Sequence, residues 1–187
     1  GIISYKKVKS YNLDEYVGLG EGDEQSYVEF MHNNLFHHID IDLQNTYLPN
    51  GKVGNEQACA YYNELLKNAE IDVQILGIGG NGHIAFNEPG TPFDSVTHII
   101  ELTAETISDN VRFFASIDDV PTKAITMGIA NIMAAKSIII LASGKNKADA
   151  VYCAIKGEIN TICPASILRT HENVTFIVDE DAASKIN

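Results

Sequence analysis

The spacing of apolar side chains divides the chain into short alternating elements. Tyr27, Phe30, Met31 and Leu35 recur at helical spacing behind Ser26. Ser26-Tyr27-Val28-Glu29 has the form of a capping box, so a helix is predicted to run from there to about His38. A second helix is expected over 56–69, where Ala58, Tyr61, Tyr62, Leu65, Leu66 and Ala69 form one apolar face. Further helical stretches are 103–114, 128–135, an alanine-rich segment that follows Lys147 and ends near Gly157, a proline-entered turn at 164–169, and 180–186. Strand-like runs lie at 8–13, 71–76, 97–102, 123–127, 137–142 and 174–178. Residues 43–55 read as a loop with a turn at Pro49-Asn50-Gly51. Strands that alternate with helices and are apolar on both faces predict one α/β domain over 1–187. Its expected core is an open, mainly parallel sheet with helices on both faces, a Rossmann-like arrangement.

The most informative stretch is 76–90. An apolar run ends in Gly77, Gly79, Gly80 and Gly82, and His83, Glu88, Pro89 and Gly90 follow. Glycines at this density allow positive φ and close approach of backbone to a ligand. The carboxyl end of a strand is also where open α/β sheets bind small molecules. Gly77, Gly79 and Gly82 match the dinucleotide pattern G-x-G-x-x-G, and Glu101 follows Gly82 by 19 positions. That pattern works only when its last glycine opens a long helix facing the pyrophosphate. Pro89, Gly90 and Pro92 exclude a regular helix there, so a nicotinamide or flavin dinucleotide is not expected. His83 and Glu88 are the alternative centre, an imidazole that moves protons near neutral pH and a carboxylate that stabilises its charged form. A purely structural histidine is the competing reading, and catalysis is favoured by the glycines around it. Asp14 and Glu15, just before Gly18, either point into a cleft or begin a solvated turn.

Charge narrows the partners. With 25 acidic against 13 basic residues and a net charge of −12, the chain lacks the basic face that nucleic acid requires. The apolar run 137–142 is far too short to span a bilayer. Cys59, Cys153 and Cys163 show neither a disulfide framework nor zinc spacing, which suits reduced thiols in a cytoplasmic protein. His32, His37 and His38 have no i, i+4 pair of the zinc-helix kind and read as surface residues.

Asn12-Leu13-Asp14-Glu15-Tyr16-Val17-Gly18-Leu19, together with Gly79-Gly80-Asn81-Gly82-His83-Ile84-Ala85-Phe86-Asn87-Glu88-Pro89, resembles the glucosamine-6-phosphate deaminase family. The likeness extends to Asn110-Val111-Arg112-Phe113-Phe114 and to Lys123-Ala124-Ile125-Thr126-Met127-Gly128. The related 6-phosphogluconolactonases share the glycine-rich loop but diverge after it, where this chain keeps Phe86 to Pro89. The resemblance implies a fold of the deaminase/6-phosphogluconolactonase kind. It also implies conversion of glucosamine 6-phosphate and water to fructose 6-phosphate and ammonia, without metal or organic cofactor.

In that reading His83 opens the sugar ring, Glu88 orients it, and Asp14 carries a proton from C2 to C1 through a cis-enolamine. Asn81 stands where many members have Asp, and its amide is expected to orient the imidazole or a hydroxyl. Glu15, Gly77, Ala85, Arg112 and Lys147 are the implied substrate-binding positions, with Arg112 and Lys147 on the phosphate.

The family's upstream glycine/threonine-rich phosphate loop has no counterpart here, and the chain opens at Gly1-Ile2 without Met. An upstream part of the natural protein is therefore expected to be missing. Residues 89–111 contain no Lys or Arg for an effector phosphate, which implies a non-allosteric monomer or homodimer rather than a hexamer. The alternative functions are a 6-phosphogluconolactonase, which needs no base at C2, and a non-catalytic sugar-phosphate-sensing domain.

Overall fold

Among the described residues the apolar runs pair into three small sheets. In the computed structural model, which describes residues 3–186, the strands are β1 (Ser10–Tyr11), β2 (Asp14–Tyr16), β3 (Thr46–Tyr47), β4 (Gln74–Gly77), β5 (His98–Glu101), β6 (Lys123–Thr126), β7 (Ile138–Ala142) and β8 (Val174–Val178). The α-helices are α1 (Tyr27–Asn34), α2 (Glu56–Lys67), α3 (Ala104–Asn110), α4 (Ile129–Met133) and α5 (Ala148–Lys156). Gly1 and Ile2, on which the reading of the chain start rests, lie outside the described residues, as does Asn187. The fold is α/β with mainly parallel sheets. Its contacts group it into two compact units, one from the segments up to Tyr62 and Ile99–Thr126, the other from Asn63–His98 and the segment after Thr126.

In the first unit β1 pairs with β3 in parallel, and Tyr11 stacks on Tyr47 with centroids 4.8 Å apart. The Tyr62 hydroxyl on α2 donates to the Asn12 carbonyl (2.6 Å), tying this helix to the segment between β1 and β2. β2 lies against β6, with Glu15 opposite Ile125. Ala58, Cys59 and Ile125 form a buried cluster onto which Val17 and Ile99 pack.

The second unit holds the parallel sheet, in the order β4-β7-β8. Leu76 pairs with Ile140 and Ile140 with Phe176. Leu76, Ile138 and Ile140 are fully buried, each contributing about 1.5–3 kcal/mol of hydrophobic stabilisation. The alternate positions behave differently: Ile75, Leu141 and Ile177 are 58 %, 48 % and 53 % exposed. Both faces are apolar, as the pattern predicts, but only one is buried. α5 buries Ala148, Ala150, Val151 and Ala154, packs against the 3₁₀ segment Pro164–Thr170, and ends at Gly157.

Several expectations need correction. Residues 8–13 do not form one strand; pairing is confined to Ser10–Tyr11 and resumes at Asp14–Tyr16, so the two carboxylates lie within a strand and not in a turn. The β2–β6 pairing is antiparallel. Only half of the capping box forms: the Ser26 hydroxyl accepts the Glu29 N–H, while the Glu29 carboxylate turns to the Gly22 N–H. α1 ends at Asn34 and gives way to a 3₁₀ turn, Phe36–His38. The loop 43–55 contains β3. Residues 180–186 form successive turns and no helix, although the Asp179 carboxylate, which is also held by Ser143 and Gly144, accepts the Ala182 N–H. Among the described residues no helix is long and apolar enough to cross a membrane.

Candidate active site

β4 delivers the chain at Gly77 into residues 78–97, which contain no helix and only the isolated bridge Ile84–Asn87. No helix follows Gly82, so the element that would face a pyrophosphate is absent from this stretch. The glycines serve a different purpose. Gly79 N–H donates to the His83 carbonyl (2.9 Å) and Gly82 N–H to the Gly79 carbonyl (3.0 Å), folding the histidine back over the turn. A Cβ at Gly79 would stand 2.2–2.4 Å from three atoms of the imidazole, so any side chain there displaces the ring. Gly82 has φ +87°, and a Cβ there would also stand 2.8 Å from the Cys163 Sγ.

Asn81 ties the loop together. Its Nδ2 donates to Glu88 Oε2 (2.9 Å), and its Oδ1 accepts the His83 backbone N–H (3.1 Å). Two partners of opposite polarity fix which way the amide points. Glu88 Oε2 also lies 3.5 Å from His83 Nδ1, at ion-pair distance. Glu88 is buried, whereas the imidazole keeps a fifth of its side-chain surface open. An imidazole with one flank against a carboxylate and the other reachable from solvent suits a proton shuttle.

The loop is braced from outside. Ala165 N–H donates to the Gly82 carbonyl (3.0 Å), Gly90 N–H to the Thr161 carbonyl (2.7 Å), and the Thr91 hydroxyl to the Glu88 carbonyl (2.7 Å). Ala85, an expected substrate contact, has φ +52° and is the one non-glycine residue with positive φ among those described. Gly77 closes β4, with open space where a side chain would stand. Lys147, in the same unit, occupies the turn that leads into α5 and is half-buried, while Lys145 is exposed.

The first unit holds the remaining expected residues. Asp14 and Glu15 are neighbours on β2 with different fates. Glu15 is 0 % exposed. Its Oε1 accepts the backbone N–H groups of Tyr16 (2.9 Å) and Tyr27 (3.0 Å), and its Oε2 accepts that of Val28 (3.1 Å). It thus satisfies otherwise unpaired donors at the start of α1. Glu15, an expected substrate-binding position, thus has both carboxylate oxygens on backbone N–H groups.

Asp14 has no such cradle. Burial, reinforced by the neighbouring Glu15 charge, pushes its carboxyl up to about 7. The nearby Tyr16 and Tyr27 rings stack with centroids 5.4 Å apart and their hydroxyls bond each other; burial pushes Tyr16 up to about 12 and raises Tyr27 further. Arg112 lies in the 3₁₀ turn after α3, exposed, with its guanidinium 4.8 Å from the centroid of the Phe113 ring.

Two positions carry more of this geometry than the sequence pattern assigns to them. The pattern marks Gly79 only as one of four glycines, and Asn87 only as part of a motif. His32 and His37 face each other on the surface at 3.4 Å, as expected of surface residues.

The family model for glucosamine-6-phosphate isomerases/6-phosphogluconolactonase matches residues 2–177. The chain belongs to that family. A glucosamine-6-phosphate deaminase of Clostridium novyi is 53 % identical over 186 residues, covering 98 % of this chain and 77 % of the relative. One of Halalkalibacterium halodurans is 52 % identical over 185 residues, covering 98 % and 75 %. The chain therefore spans about three quarters of the length of these family members. Among solved structures, a monomeric glucosamine-6-phosphate deaminase superimposes with a TM-score of 0.95 at 45 % identity, over 97 % of this chain and 76 % of that one. The 6-phosphogluconolactonase of Trypanosoma brucei shares the family's fold, with a TM-score of 0.74 at 19 % identity over 95 % and 73 % of the two chains.

Proposed function

We propose that the protein converts glucosamine 6-phosphate and water to fructose 6-phosphate and ammonia. The observation that carries this reading is the bonded set Asn81–His83–Glu88 at the carboxyl end of β4. Relatives of about 50 % identity that bear the deaminase name support it.

His83 takes the proton of the O1 hydroxyl and gives one to O5, opening the ring. The Glu88 carboxylate stabilises the imidazolium formed between the two transfers. Asp14 then removes the C2 proton, giving an enolamine, and returns a proton to C1. A base held near neutral suits that step, since it is ionised for abstraction and still basic enough to accept a carbon-bound proton. Water adds to the resulting imine at C2, and ammonia leaves. Every step is a proton transfer or an addition–elimination at carbon, so the reaction calls on no metal or organic cofactor.

Arg112 and Lys147 hold the phosphate, and Gly77 and Ala85 present backbone to the sugar. Binding energy at the remote anion fixes C1 and C2 for proton transfer. The working form is a monomer or homodimer acting in the cytoplasm.

Ammonia release from glucosamine 6-phosphate, measured on the full-length protein beside the 187-residue chain, tests the reading. Ammonia is expected, with no hydrolysis of 6-phosphogluconolactone. Lactone hydrolysis without ammonia would replace the reading with that of a lactonase, and neither activity would favour a sensor.

A further inference from the structure

Asn87 lies in the middle of the candidate site yet has no role in the reaction just described. It is 0 % exposed. Its Nδ2 donates to two carbonyls, Ile84 and Met127, each at 2.9 Å. An amide nitrogen placed between two carbonyl oxygens cannot be exchanged for the amide oxygen, so the donor role is fixed by its surroundings. Its backbone N–H also bonds the Ile84 carbonyl (3.0 Å), closing a four-residue turn over Ile84, Ala85, Phe86 and Asn87. The first central residue of that turn is Ala85 at φ +52°, a conformation that alanine disfavours and glycine accepts. Something must hold alanine there. The turn joins His83 directly to Glu88, the two groups whose 3.5 Å separation defines the shuttle.

We infer that Asn87 is a positioning residue for the deamination: its side-chain amide clamps the Ala85 turn and thereby sets the distance from Glu88 to the His83 ring. The Met127 bond anchors the turn to the segment that follows β6, so the clamp has a fixed end. The Asn87 side-chain amide bonds two backbone carbonyls. It acts through Ala85 and the backbone of Glu88. The inference rests on the proposed reaction for its kinetic readout but not for its structural one.

The test compares Asn87→Ser, Asn87→Asp and the double substitution Ala85→Gly/Asn87→Ser in the full-length protein. Serine removes the two-carbonyl clamp, and aspartate points a carboxylate at two carbonyl oxygens. A misplaced reacting pair costs about 100-fold in kcat, and aspartate is expected to lose at least as much as serine. KM should change far less than kcat, because Arg112 and Lys147 on the phosphate are untouched and only the Ala85 backbone contact moves with the turn. Glycine at 85 accepts positive φ without the clamp, so the double variant should recover about fivefold or more of the lost kcat.

The His83 ring resonances, followed by NMR, should move in Asn87→Ser and return towards their original positions in the double variant. Full kcat in Asn87→Ser, unmoved His83 resonances, or no recovery in the double variant would overturn the inference. If the unsubstituted protein releases no ammonia, the proposed reaction fails, while the His83 resonances still decide whether Asn87 positions the ring.

Discussion

Glu88 in the glycine loop and Asp14 on β2 are carboxylates in contrasting surroundings. Glu88 is held by a side-chain amide on one side and faces an imidazole on the other. Asp14 has been moved from water to a place beside a second carboxylate, and its proton affinity rises accordingly. The adjacent Glu15 makes the contrast sharper, because burial also raises its carboxyl even though three backbone N–H bonds oppose the shift. The comparison separates two ways of preparing a carboxylate. Hydrogen bonds fix a group in place; desolvation makes it basic. The proposed reaction opens a ring and then abstracts a carbon-bound proton, and it calls on one of each.

The contrast can be broken at several points. Asp14→Asn should have the largest effect, lowering ammonia release by about 10³- to 10⁴-fold, as expected for loss of a general base. The same change should raise stability. A folded-state value of about 7 lies above the ordinary carboxylate value, so the ionised group weighs against the fold above pH 7, and that penalty vanishes once pH falls below about 4. In urea unfolding the Asp14→Asn variant should be more stable than the unsubstituted protein by up to about 4 kcal/mol at pH 8, with the gap closing towards about pH 3.5.

Gly79→Ala attacks the other member of the comparison. The new methyl group must displace the imidazole, and kcat should fall about 100-fold with little change in Asp14 behaviour. Glu15→Ala should cost about 2–3 kcal/mol in urea unfolding, because it leaves the buried backbone N–H groups of Tyr16, Tyr27 and Val28 without their acceptor. The smallest effect is expected for Asn81→Asp. Replacing the amide puts a second carboxylate against Glu88, and the pair must share a proton. The kinetic cost should be less than about tenfold and should appear as a changed pH profile.

What was readable in the sequence follows the range of the interactions. β7, β8, α2 and α5 stand within a residue or two of their expected bounds because each is a run of apolar or helix-forming residues that needs only its own pattern. The absence of a helix after Gly82 was also legible from local chemistry, the prolines after His83, and residues 83–97 contain none. The β2–β6 pairing was hidden because it joins Asp14 to Thr126, and nothing in residues 8–16 announces a partner so distant. Asp14 and Glu15 looked alike as two adjacent acids; only the start of α1 distinguishes them. Glycine at 79 was visible, but its reason was not, since it depends on where the His83 ring comes to rest. The short final turns show the reverse case, in which local pattern predicted a helix and residues 180–186 form only successive turns.

The central claim is that the acid on β2 and the imidazole of the glycine loop act on one hexose. Glucosamine 6-phosphate carrying deuterium at C2 tests it most directly, by following cleavage of the C2–deuterium bond together with ammonia release. The account predicts that the unsubstituted full-length protein performs both and that Asp14→Asn performs neither while still binding the sugar. Cleavage of that bond by Asp14→Asn at the unsubstituted rate would contradict it.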